Sequence, residues 1–101
     1  MLDFLISPEQ LSKELGQVIL VDVREAEEFA ESRIEGGILI PLGEIQKRAS
    51  ELNKEDNIVI YCAHGVRSLH ALRALELMGF SRLRSLDGGI VSFEDWQKLS
   101  R

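Results

Sequence analysis

The chain has 101 residues, 45% hydrophobic and 29% charged, the balance of one ordinary globular domain over residues 1–101 with no room for a second. Its net charge of −5 excludes a protein that tracks nucleic-acid phosphates, a task that needs a dense positive field. The lone cysteine, Cys62, excludes an intramolecular disulfide or a cysteine-built zinc cluster. No apolar run approaches bilayer length and MLDFLISPEQ has no basic leader, so a cytoplasmic protein with no membrane partner is expected.

In chain order, Ser7 is placed to cap a helix, with Pro8 in the first turn, Gln10 three residues on to close a capping box, and Gly16 as the stop. Val18-Ile19-Leu20-Val21 then runs into Asp22-Val23-Arg24, the pattern of a strand buried on both faces with polar residues only at its C-terminal end. The acidic stretch from Glu25 to Glu31 reads as a short helix, and Gly36-Gly37 leads into a second buried strand, Ile38-Leu39-Ile40, ended by Pro41. Between Gly43 and Leu52, helical spacing of Ile45, Ala49 and Leu52 predicts a short amphipathic helix.

Ile58-Val59-Ile60-Tyr61 is the third buried strand and stops at Cys62, and Ala63 to Arg67 form a brief loop. From Ser68 a long helix carries Leu69, Leu72, Leu75, Leu77 and Met78 until Gly79 terminates it. Arg82 to Leu86 predicts a short strand, Asp87-Gly88-Gly89 a turn, and Val91 to Leu99 a last amphipathic helix with Phe93 and Trp96. Apolar strands alternating with helices predict a parallel sheet covered on both faces, a three-layer α/β architecture. In such sheets sites form beyond the C-terminal strand ends, where Cys62 lies.

A buried cysteine by itself is a small hydrophobe. Here a strand, a glycine-containing loop and a helix N-terminus meet at the sulfur, so several backbone N–H groups can converge on it and favour thiolate over thiol. Gly65 allows the loop unusual backbone angles, and Arg67, a cation at a helix start that opposes the helix dipole, is placed to hold an oxyanion such as thiosulfate or to brace the loop. His64 is balanced between lining the pocket and lying idle in the loop, and His70 is read as idle. Asp22 and Arg24, on the same sheet edge, are read as a structural ion pair, and Glu25, Glu27, Glu28 and Glu31 as a solvated helix face. Nothing has the spacing of a metal site, and no cofactor is expected.

Taken together, Val21-Asp22-Val23-Arg24-Glu25 with Glu27-Glu28-Phe29, Ile40-Pro41-Leu42, Ile60-Tyr61-Cys62, and Leu86-Asp87-Gly88-Gly89-Ile90 before Trp96 resemble the rhodanese family in order and spacing over nearly the whole chain. The resemblance implies a three-layer α/β/α rhodanese fold with a five-stranded, mainly parallel sheet. It also implies a sulfurtransferase in which Cys62 takes a sulfane sulfur as a persulfide, cradled by Ala63, His64, Gly65, Val66 and Arg67. The donor is a small molecule such as thiosulfate and the acceptor a thiol, cyanide or a protein, with a cysteine desulfurase or a sulfur-carrier protein as possible partners. The loop keeps the family pattern Cys-x-x-Gly-x-Arg, whereas Arg33 and Glu35 stand where relatives commonly have histidine and proline. Three other readings compete: an interaction module without turnover, a delivery module that receives sulfur from a cysteine desulfurase and hands it onward, and a cysteine phosphatase or arsenate reductase of related fold. The last places five residues between cysteine and arginine, whereas four separate Cys62 from Arg67 and Ser68 takes the sixth position.

Overall fold

The computed structural model describes residues 3–100; Met1 and Leu2 of the N-terminal stretch, and Arg101, lie outside them. Its strands are β1 (Leu5–Ile6), β2 (Ile19–Asp22), β3 (Ile38–Leu39), β4 (Ile58–Tyr61) and β5 (Leu83–Leu86), and its helices α1 (Pro8–Glu14), α2 (Ala26–Glu31), α3 (Ile45–Arg48), α4 (Val66–Leu77) and α5 (Gly89–Leu99). The strands form one sheet in the order β1-β5-β4-β2-β3, every neighbouring pair parallel.

Alternation along β4 sorts the core. Ile58 and Ile60, followed by Cys62, point into one cluster with Ile45 and Ala49 and with Ala71, Leu72 and Leu75 of α4. Val59 and Tyr61 point the other way, onto Leu11 of α1 and Ile90 and Phe93 of α5. The result is a three-layer α/β/α arrangement, with α3 and α4 on one face and α1 and α5 on the other. All four residues of β4 are buried, and each such aliphatic side chain stabilises the fold by roughly 1.5–3 kcal/mol. No helix among the described residues is long and apolar enough to cross a membrane.

Several elements differ from what periodicity predicts. β1 is the fifth strand, and its two residues are too few to show a pattern; it is held at the sheet edge as the Ser85 N–H donates to the Phe4 carbonyl (2.7 Å) and the Asp87 N–H to the Ile6 carbonyl (2.9 Å). The expected buried strand over 38–40 is a two-residue edge strand, with Ile38 43% exposed because β3 has only β2 beside it. The expected helix over 43–52 is a single α turn, α3, between two 3-10 turns, Leu42–Glu44 and Ala49–Glu51. Ser7 does cap α1, accepting from the Gln10 N–H at 3.1 Å, but the Gln10 side chain turns forward to Glu14 at 2.8 Å and closes no box. Finally, α4 begins at Val66, two residues before Ser68, and α5 begins at Gly89, so Gly88-Gly89 is a helix entrance where the sequence reading has a turn.

Candidate active site

Cys62 follows the last residue of the central strand, in the crevice where the chain runs to β5 on one side and to β2 and β3 on the other. The loop turns sharply at Gly65, whose φ of 99° is the left-handed region that favours glycine. That turn aims the chain's N–H groups inward. The Gly65 N–H donates to Cys62 Sγ at 3.1 Å and the Ser68 N–H at 3.3 Å. The Ser68 hydroxyl lies 3.5 Å from the sulfur and 2.7 Å from the Ser85 hydroxyl. With the sulfur ionised, Ser85 donates to Ser68 and Ser68 to the thiolate.

Burial pushes the Cys62 thiol up, since the residue is only 1% exposed. The Ser68 hydroxyl and the N–H groups of Ser68, Gly65 and His64 push it down further, and the balance falls below the ordinary thiol value. Hydrogen bonds aligned with the start of α4 thus favour the thiolate relative to a free cysteine.

The loop's outward carbonyls are held by α5. The Ile90 N–H donates to the Cys62 carbonyl at 2.9 Å and the Val91 N–H to the Ala63 carbonyl at 3.2 Å, so the first turn of α5 uses its free donors to fix the loop. This approach requires Gly89, with φ of 67°, because a Cβ there would collide with the carbonyls of Cys62 and Ala63.

Of the loop residues singled out from the sequence, Ala63, Gly65 and Arg67 are half-buried around the sulfur, while His64 and Val66 are exposed. His64 contributes its backbone N–H. Arg67 does not point freely into the site: its guanidinium makes a two-pronged ion pair with Glu28, Nη1 to Oε1 at 2.8 Å and Nη2 to Oε2 at 2.9 Å. Glu28 Oε1 also accepts the Glu25 N–H at 3.0 Å. Glu28 is therefore not part of a merely solvated acidic face; contact with Arg67 holds its carboxyl down at about 2.

Asp22 and Arg24 form the expected structural pair, both nearly inaccessible. Arg24 donates through Nη2 to Asp22 Oδ2 (2.8 Å), through Nε to Oδ1 (3.0 Å), and onward from Nη2 to the Ser32 carbonyl (2.7 Å). Next to that anchor the Ile34 N–H donates to the Tyr61 hydroxyl at 3.1 Å. The unusual residues Arg33 and Glu35 are exposed on either side of buried Ile34. Arg33 lies over the Phe29 ring, 4.6 Å from its centroid, and both border a hollow against α5 on the sheet face opposite Cys62. The Ile34 N–H bond and its buried side chain secure this segment.

Sequence reasoning missed four residues that build the site: Ser68, Ser85, Glu28 and Gly89. A serine within the strand Leu83–Leu86 and another at the start of α4 are both wholly buried, and a buried hydroxyl needs a partner; only the fold shows that they partner each other and the sulfur. Among the described residues no group of His, Cys, Asp and Glu is arranged to hold a metal ion.

The Rhodanese-like domain family matches residues 7–96. The chain belongs to that family. The putative sulfur carrier protein YrkF of Bacillus subtilis is 43% identical over 76% of this chain, which spans 40% of YrkF's length. A sulfurtransferase of Allochromatium vinosum is 37% identical, with 87% of this chain and 85% of the relative covered. The solved structure of a rhodanese-related protein from Thermoplasma volcanium superposes with a TM-score of 0.85 at 28% identity, covering 90% of each chain.

Proposed function

We propose that Cys62 is the residue that carries the sulfur in this rhodanese-type sulfurtransferase, and that Ala63, His64, Gly65, Val66 and Arg67 form the binding loop around it. In the first step the Cys62 thiolate attacks the sulfane sulfur of the donor; the new S–S bond forms as the donor's own bond breaks. With thiosulfate the leaving group is sulfite, and the charge moves to the terminal sulfur of the Cys62 persulfide. In the second step cyanide takes that sulfur and leaves as thiocyanate, or a thiol takes it and leaves as a persulfide, and the Cys62 thiolate is restored.

The observation that carries this reading is the convergence of the Gly65 and Ser68 N–H groups and the Ser68 hydroxyl on one buried sulfur. Such donors stabilise the thiolate before attack and the persulfide after it. They favour sulfur transfer over phosphatase chemistry, because Ser68 closes the loop onto the sulfur at the position where a phosphate cradle carries its arginine. They also argue against an interaction module, which has no use for a poised thiolate. A cysteine desulfurase as protein donor and a sulfur-carrier protein as acceptor fit the same chemistry, and a reducing cytoplasm keeps the thiolate available.

After exposure to thiosulfate, intact-protein mass spectrometry is expected to show the gain of one sulfur atom, and thiocyanate is expected to form on addition of cyanide. Both should vanish in Cys62→Ser. Equal thiocyanate production by that variant would remove Cys62 from the role.

A further inference from the structure

Arg67 is the cation nearest in sequence to the sulfur, and an anionic donor would naturally dock its sulfonate oxygens onto the fork of that guanidinium. In this chain the fork is already filled. Both terminal nitrogens of Arg67 bond the two oxygens of Glu28, and Glu28 is itself fixed by the Glu25 N–H at the start of α2. The pair joins residues 39 apart in sequence and is about one-third exposed on each side, so solutes can reach it, and the Cys62 charge reaches Arg67. Glu25 and Glu27, both exposed, add negative charge at the same helix entrance, and the field of Glu25 reaches Arg67. The neighbouring cation, Arg24, is buried and committed to Asp22 and the Ser32 carbonyl.

We propose that Glu28 is a specificity-determining residue that neutralises Arg67 and so directs the site toward alkyl persulfide donors, which carry at most one charge, and away from the thiosulfate dianion. The inference rests on the assignment of Cys62 as sulfur carrier. Thiosulfate brings two negative charges toward a thiolate, beside an arginine whose charge Glu28 cancels, and it gains that arginine only by displacing a carboxylate anchored to the backbone. An alkyl persulfide brings at most one negative charge, has no sulfonate that needs Arg67, and reacts through its protonated form, R–S–SH. The thiolate attacks its terminal sulfur, the S–S bond breaks, RS⁻ leaves, and the proton on the new Cys62 persulfide passes to the departing thiolate.

The test compares thiosulfate with a singly ionisable alkyl persulfide such as ethyl persulfide, in the native protein and in Glu28→Gln, whose amide oxygen still accepts the Glu25 N–H. The ratio of kcat/KM for thiosulfate to kcat/KM for the persulfide is expected to rise at least about threefold in the variant, carried by a lower KM for thiosulfate. A second measurement needs no variant: in the native protein added potassium chloride should lower the KM for thiosulfate, because salt screens repulsion, and should move the persulfide KM less. A thiosulfate KM that climbs with salt, or a donor ratio that stays put in Glu28→Gln while Cys62→Ser is inactive, overturns the role of Glu28 alone. Sulfur transfer persisting in Cys62→Ser overturns the assignment of the nucleophile and this inference with it.

Discussion

Two arginine–carboxylate pairs stand at the C-terminal edge of the sheet, and they have opposite characters. Asp22–Arg24 is almost wholly enclosed, its side chains 0% and 5% exposed, and Arg24 Nη2 also donates to the Ser32 carbonyl. Glu28–Arg67 is also two-pronged, though end-on through Nη1 and Nη2, and each side chain is 35% exposed. Burial decides what each pair can do. A desolvated charge cannot leave its partner without severe cost, so the first pair is a rivet between β2 and the segment after α2. A pair that water and solutes reach can exchange partners at little cost.

The sharpest way to break this contrast is Asp22→Ala, which strands a buried guanidinium. It should cost roughly 3–5 kcal/mol in denaturant unfolding, whereas Glu28→Gln should cost about 1 kcal/mol or less. Similar losses in the two variants would show that exposure does not separate the pairs.

A smaller effect is expected at Ser68–Ser85, which is buried like the first pair yet touches the sulfur. Ser68→Ala leaves the Ser85 hydroxyl without its partner, a loss of roughly 1–3 kcal/mol, and removes a donor from Cys62. The midpoint of iodoacetamide alkylation against pH should therefore move up in this variant, whereas Asp22–Arg24, which makes no contact with the sulfur, has no such influence. An unchanged midpoint would mean that the N–H groups alone set the thiol.

The smallest effect is at acid pH. Contact with Arg67 holds Glu28 at about 2, and contact with Arg84, aided by Gln10, holds Glu14 at about 2, against an ordinary value of 4.5. A depressed carboxyl stabilises the fold above its unfolded value, and that contribution drains away as pH falls from about 4.5 toward 2. Partial exposure keeps each share below about 1 kcal/mol. Unfolding free energy measured between pH 5 and pH 2.5 should fall less steeply in Glu28→Gln than in the native protein; an identical slope would show that the Arg67 contact is not maintained in solution.

Much of the molecule is legible along the chain because its signals are local. The aliphatic runs at 18–21 and 58–61, the helical rhythm after Ser68 and the spacing of Cys62, Gly65 and Arg67 need only neighbouring residues to be read, and they suffice for a parallel α/β sheet with a reactive thiol at a strand end. Contacts between distant residues decide the rest. β1 exists only because β5 lies beside it, and Gly89 matters only because α5 docks on the carbonyls of Cys62 and Ala63. Ser85 becomes part of the site by reaching Ser68 from the next strand. An acidic helix face likewise looks the same in sequence whether its carboxylates meet water or an arginine. Glu28 finds Arg67 only once β2 and β4 pair in register and bring α2 and the start of α4 to one edge of the sheet.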